Sequence, residues 1–423
     1  MKHKILIASF LTIMVNGIGT AVRGGILVDW GTNFTFTQTE LGKITGMGFT
    51  GFGLVILLAS MFLDKFGYKP FLVLAGVLHT ASVFLTVAAT YMYTSKVDAD
   101  PEAAKAAAYF CLFWGIFIFA VANGICEAVI NPLIATIYSK EKTHYLNILH
   151  AGWPAGMIVG SLLGLVMIGN VRWEIILGLY LVPTLMYLFM IAKEEFPKSE
   201  AAEAGVSFVD MLKEFLAPVL LFLLFLHALI GFVELGTDGW IANIMNTALS
   251  GYGLIILLYT STLMFILRFF AGPIVHHTNP MGLLFISACL ATVGLYALGS
   301  FAGVAAIMVA ATVYACGKTF FWPTMLAVVS ERFPRGGALT LGAIGAAGML
   351  SAGILGGPGI GYMQDRYASE YMEEQAPELY QEYAAEGTSS FLIFAEVKGL
   401  DGSKVGPLLG KAQQDPEDRK STR

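Results

Sequence analysis

Residues 107–137 read AAYFCLFWGIFIFAVANGICEAVINPLIATI. This run carries one charged side chain, Glu127. It exceeds the roughly 20 mostly apolar residues that carry a helix across a bilayer. Asn123, Glu127 and Asn131 recur at a spacing of four, which sets them on one face of a helix. Pro132 follows and removes a helical hydrogen bond, so a kink is expected there. A membrane helix with a polar face ending in a carboxylate is the pattern from which the rest of the chain is read.

Working outward, ten further runs qualify: 5–28, 41–63, 70–92, 146–168, 173–192, 216–236, 252–275, 281–299, 303–329 and 338–363. The first is too long for a cleaved signal peptide and lacks a small-x-small cleavage site. Of the 423 residues, 56% are hydrophobic and 13% charged, whereas soluble domains carry about 25% charged residues. So little charge cannot coat a water-soluble surface. A soluble enzyme, a nucleic-acid binder and a disulfide-stapled secreted domain are excluded. Cys111, Cys126, Cys289 and Cys316 lie in apolar runs and read as packing residues.

Residues 365–423 hold 12 acidic and 7 basic side chains, so the whole net charge of −5 sits there. Placing the N-terminus in the cytoplasm puts 11 Lys and Arg in inner segments and 3 in outer loops, as the positive-inside bias requires. The expectation is a multi-pass protein of the cell inner or plasma membrane. An odd count of eleven leaves two readings, a chain that ends in an external polar tail or, favoured here, a twelve-span architecture with one span outside this sequence. The charged segment 193–215, with Pro197, divides the chain. The expected units are a six-helix bundle (1–192), a cytoplasmic linker (193–215), a bundle with five spans (216–364) and a polar acidic tail (365–423).

The two halves echo each other. Asn123, Glu127, Asn131 and Pro132 recur as Tyr314, Lys318, Trp322 and Pro323, each at an offset of 191. Ala155-Gly156-Met157 recurs as Ala347-Gly348-Met349 at 192. Asn16 and Arg23 match His227 and Glu234 at 211. Duplicated halves mark secondary transporters, with the substrate site between repeats near the midplane. The expected fold is all-α, two pseudo-symmetric helix bundles working by alternating access.

An ionised side chain at the bilayer centre costs roughly 2.5–3.5 kcal/mol on insertion scales. Arg23, Glu127, Glu234 and Lys318 are therefore expected as charges facing a cavity, Glu127 being paired with Lys318 and acting as proton carrier. Arg268, near the end of its span, reads as a snorkelling residue. Asn16, Asn123, Asn131, Asn147 and His150 offer hydrogen bonds, and Trp153, Tyr314 and Trp322 offer ring faces. Amides beside aromatic planes suit a sugar or another neutral polyol. Each of these polar residues has a plain structural reading beside the functional one, interhelical hydrogen bonding. Gly152, Gly156, Gly160 and Gly164 form a ridge for close helix packing. No metal-ligand spacing or P-loop pattern occurs, so neither a metal nor another cofactor is expected, and ATP is not the expected driver.

The loop Asp64-Lys65-Phe66-Gly67-Tyr68-Lys69 resembles the acidic-basic loop (D-R-x-G-R-K) of the major facilitator superfamily, with Ser60 where that family has Gly. The corresponding loop after span 8 reads Gly272-Pro273-Ile274-Val275-His276-His277, with His276 in place of the acid. The resemblance implies that Asp64, Lys65, Gly67 and Lys69 form a cytoplasmic gate. Within the superfamily, residues 29–164 are similar to the fucose/galactose/glucose–proton symporter group. The matching residues are Glu127 four positions before Asn131-Pro132, followed by Leu146-Asn147. In that group the span 4 acid serves proton coupling and sugar affinity. The group's span 1 Asp is absent, Gly24 standing in its place beside Arg23, and His150 replaces a Gln. The implied function is proton-coupled symport of a sugar or similar small polar solute, by a monomer in a lipid bilayer with no nucleic-acid partner. Two rivals stand beside it: transport of an organic anion through Arg23 and Lys318, and a non-transporting sensor on the same fold. Balanced charge, two bases facing two acids, argues against the anion.

Overall fold

The computed structural model describes residues 2–36, 38–168, 170–249, 253–385, 387–388, 390–401 and 404. Among the described residues, ten helices are long and apolar enough to cross a membrane, and a shorter apolar helix makes an eleventh candidate. They are α1 (Lys2–Gly25), α2 (Lys43–Phe66), α3 (Tyr68–Thr94), α4 (Pro101–Ile137), α5 (Lys142–Met167), α6 (Trp173–Ile191), α7 (Pro218–Ile241), α8 (Ile255–Arg268), α9 (Ala271–Ser300), α10 (Val304–Arg332) and α11 (Pro334–Gln375). They correspond one to one with the eleven expected spans. The chain is a multi-pass integral membrane protein of two helix bundles.

Local chemistry sets the ends and breaks of these helices. Asp100 caps α4, its carboxylate accepting from the Ala103 amide at 3.0 Å, and Pro101 takes the first helical position. The helix continues through Pro132. The other proline acts differently. Helix α10 breaks at Thr319 and Phe320, just before Trp322-Pro323. Helix α5 also breaks, at Ala151 between His150 and Gly152. Two π-helical turns, Phe232–Gly236 in α7 and Ala352–Gly356 in α11, lie against each other. Single π turns leave backbone groups out of register, often at functional places.

The repeat is visible in how glycines meet. In the first bundle Gly17 of α1 lies against Gly156 of α5, where an added Cβ would come within 2.9 Å of the Gly156 Cα. In the second, a Cβ on Gly231 of α7 would sit 2.1 Å from the Gly348 carbonyl oxygen of α11. The two contacts are equivalent, which gives α1 and α7 an offset of 231 − 17 = 214. The expected offset of 211 is therefore short by three residues. Arg23 and Glu234 are not symmetry mates. Gly152, Gly156 and Gly160 all approach α1 backbone, whereas Gly164 meets only the Ile168 side chain. That ridge packs one bundle internally.

Two further expectations change. Of the four cysteines, Cys111 and Cys126 are buried, but Cys289 is exposed on the helix surface. The segment after residue 364 is not wholly a free tail. Helix α11 runs on to Gln375, and the chain folds back on it through Tyr362 donating to the Ala395 carbonyl (2.6 Å) and Tyr380 to that of Lys398 (2.9 Å). Residues 405–423 lie outside the described residues.

Candidate functional site

The site is built at the seam between bundles and in the hollow beside it. Glu127, on the polar face of α4, is 4% exposed. Its Oε1 accepts from Asn131 Nδ2 at 3.1 Å and from Trp322 Nε1 of α10 at 3.2 Å. His150 Nε2 lies 3.7 Å from the same oxygen and 2.9 Å from Asn131 Oδ1. Glu127, Asn131, His150 and Trp322 thus form one hydrogen-bonded group that crosses between the bundles.

Lys318 is not the partner of Glu127. It is completely buried and paired with Asp238 of the second bundle, its ammonium 5.2 Å from the Tyr314 ring centre. Asp238 lies just past the end of the apolar run read as span 7, so the sequence reading passed it over. Nor does Arg268 snorkel. It is 2% exposed and donates in three directions: to the Thr319 carbonyl (3.0 Å), to Glu234 Oε1 (3.2 Å) and to the His150 carbonyl of the first bundle (2.5 Å). Pro323 and Pro154, four residues after Thr319 and His150, have no N–H and leave those two carbonyls free, and the π turn of α7 carries Glu234. Hence two of the three buried cations named here have carboxylates beside them, and the balance of two bases facing two acids does not describe this arrangement.

The third cation is Arg23. With Thr20, Thr45, Asn123 and Trp153 it lines a cavity of about 250 Å³ in the first bundle. Its guanidinium stacks 3.8 Å from the Phe119 ring centre. It donates to the Gly19 carbonyl (3.1 Å), Ser82 Oγ (3.1 Å) and Tyr180 Oη (3.3 Å). Asn123 Oδ1 pairs with His79 Nε2 at 2.9 Å. A larger cavity, about 800 Å³ and lined by Trp240, Tyr362 and Asp365, shares Thr45 and Phe49 with the first. The two hollows lie toward the end of the bundle away from the 193–215 segment.

The remaining expected residues fall elsewhere. Asn16 is buried, its Oδ1 is without a partner, and it does not line the cavity. Asn147 donates to the Thr143 carbonyl (2.8 Å) and across the seam to Thr324 Oγ1 (3.3 Å). Tyr314 is fully buried and donates to the Val233 carbonyl at 2.9 Å. These three do not touch the cavity.

The end bearing the 193–215 segment is closed. Asp64 accepts from Ser199, which caps the short helix Glu200–Glu203. Lys69 donates to the Ala192 and Glu194 carbonyls at 2.8 and 3.1 Å. Gly67 turns with φ of 78°, a conformation that glycine adopts freely. Lys65 lies on the exposed rim, 5.4 Å from the Phe66 ring centre. Lys142 pairs with Glu200 at 3.0 Å and donates to the Ser330 carbonyl at 3.4 Å. Ser60, in place of the family's Gly, is matched across the seam by Gly342, whose added Cβ would lie 2.0 Å from Ser60 Oγ.

A family model described as Major Facilitator Superfamily matches residues 9–366. No curated protein matches the chain at significance. Among solved structures, the chain is similar to the proton:xylose symporter XylE bound to 6-bromo-6-deoxy-D-glucose, with a TM-score of 0.71 and 14% identity over 88% of this chain and 90% of that one. It is also similar to the E. coli fucose:proton symporter FucP (TM-score 0.63, 16% identity, 86% and 92% covered). A human organic anion transporter gives a TM-score of 0.65 at 13% identity, with 89% and 94% covered. At such identities the likeness is one of fold.

Proposed function

Because the chain belongs to the major facilitator superfamily, we propose that it is a secondary active transporter that symports a small polar solute, of the sugar class, with a proton. The observation that carries this reading is the setting of Glu127. Glu234 and Asp238 each have a cation within ion-pair distance. Glu127 is held by an amide, an indole and a histidine ring. Among the described residues no Lys or Arg lies within ion-pair distance of Glu127, so a proton can neutralise it. Trp322, on the opposite bundle, contacts the same oxygen, so rocking of the bundles changes the surroundings of Glu127. Proton binding is thereby linked to the state of the transporter.

The solute site in this reading is the cavity of Asn123 and Trp153, entered through the Trp240–Tyr362 hollow. Asp64 and Lys142 serve as latches at the closed end, and alternating access requires their contacts to part, whereas Lys69 ties α3 to the chain leaving α6. The division into bundles 1–192 and 216–364, the linker between them and action as a monomer belong to the same proposal. The test is uptake of labelled pentoses and hexoses into proteoliposomes under an inward proton gradient. Accumulation should collapse on adding a protonophore. Uptake that is indifferent to the protonophore contradicts the reading.

A further inference from the structure

We propose that the transported solute bears a carboxylate and that Arg23 is the group that receives it. This rests on the symport reading above and narrows its substrate to sugar acids.

Among the described residues, no carboxylate is paired with Arg23, whereas the buried cations Arg268, Lys318 and Lys142 each have one. Arg23 is 5% exposed, and its Nε has no partner. A buried charge left without a counter-charge is strongly destabilising. Stacking on Phe119 offsets part of that cost. A structural role does not explain the residue, because its neighbours do not need it. Ser82 Oγ already donates to the Gly115 carbonyl at 2.7 Å, and Tyr180 Oη to the His79 carbonyl at 3.0 Å. Removing the guanidinium leaves both hydroxyls hydrogen-bonded.

The rest of the cavity agrees. With His79 Nε2–H donating to Asn123 Oδ1, the Asn123 Nδ2 group has no acceptor among the described residues and remains a donor on the cavity lining. A guanidinium and an amide N–H pair are the donors that a carboxylate requires. A carboxylate entering beside Arg23 supplies the missing charge. One such anion moving with one proton carries no net charge, so its transport is independent of membrane potential. A neutral sugar moving with one proton is driven by potential as well as by pH.

The experiment uses the full chain and matched probes: D-galactose with D-galacturonate, and D-glucose with D-glucuronate. In proteoliposomes with a proton gradient and the potential set by potassium and valinomycin, a uronate should accumulate with a rate unchanged by potential. Arg23→Met should lower that rate at least tenfold, and Arg23→Lys should keep part of it. A second readout needs no ligand. Ligand-free Arg23→Met should melt no lower than wild type, because an unpaired buried charge has gone. A melting temperature well below wild type makes Arg23 a structural cation and overturns the proposal. Potential-driven accumulation of the neutral sugar, retained in Arg23→Met and lost in Glu127→Gln, overturns the carboxylate while leaving proton symport intact. Absence of proton-linked accumulation of every probe counts against both.

Discussion

At the residue scale, Lys318 and Arg268 have definite carboxylate partners, and these partners can be tested pairwise. Removing one member of a buried ion pair costs about 3–5 kcal/mol, because the other is left charged and unpaired. Lys318→Met and Asp238→Asn should each destabilise the protein by an amount of that order. The double variant should lose less than the sum, and thermal melting of the four proteins gives the coupling. Lys318→Met combined with Glu127→Gln should instead be near additive, since the structure pairs Lys318 with Asp238. Arg268→Lys should destabilise as well. A point ammonium cannot reach Thr319, His150 and Glu234 together, as the forked guanidinium does.

At the element scale, backbone contact between helices decides which glycines matter. The Gly231–Gly348 approach leaves no room for a methyl group. Gly231→Ala should cost roughly 1–3 kcal/mol through overpacking. Gly299, in the exposed last turn of α9, has nothing within 4 Å of an added Cβ. Gly299→Ala should be neutral or mildly stabilising, because it removes backbone freedom from the unfolded chain. Both are read as shifts in melting temperature. The spans and the glycine ridge were legible because each follows from short-range pattern, hydropathy or a spacing of four. Glu127 and Asn131 were legible for the same reason. Trp322 as a donor to Glu127 was not, since nothing within one helix marks a contact 195 residues away. Arg268 was misread because its place near a helix end suggests escape to water. The two carbonyls it satisfies stand four residues before Pro154 and Pro323, which have no N–H to bond them; both prolines are legible in the sequence, but that Arg268 of another helix reaches both carbonyls shows only in three dimensions. The three-residue slip between α1 and α7 has a similar origin: Asn16 and Arg23 offered a spacing of seven, but the glycine contact fixes the alignment.

At the scale of the whole molecule, the contacts are distributed unequally between the two ends. One end is tied by Asp64–Ser199, Lys142–Glu200 and the Ser60–Gly342 approach, while the hollow of Trp240 and Tyr362 occupies the other. The ties are few and each hydrogen bond is worth about 0.5–1.5 kcal/mol, so losing one should shift the populations of states without unfolding the protein. Asp64→Ala should raise the reactivity of a cysteine introduced at Ser330 toward a water-soluble maleimide. Solute affinity in a protein locked closed at this end should stay near that of wild type. A collapse of locked-state affinity would place Asp64 at the solute site.

In the function proposed above, one buried carboxylate at the seam between the bundles, Glu127, couples proton and solute, which joins the three scales. The most direct measurement of this coupling compares two modes of transport in Glu127→Gln proteoliposomes loaded with a solute that the wild type accumulates. Exchange of internal for external solute needs no net proton movement and should persist. Concentration of solute against its gradient by an imposed proton gradient should be lost. Retention of concentrative uptake by Glu127→Gln would contradict the account, because the proton would then be carried elsewhere.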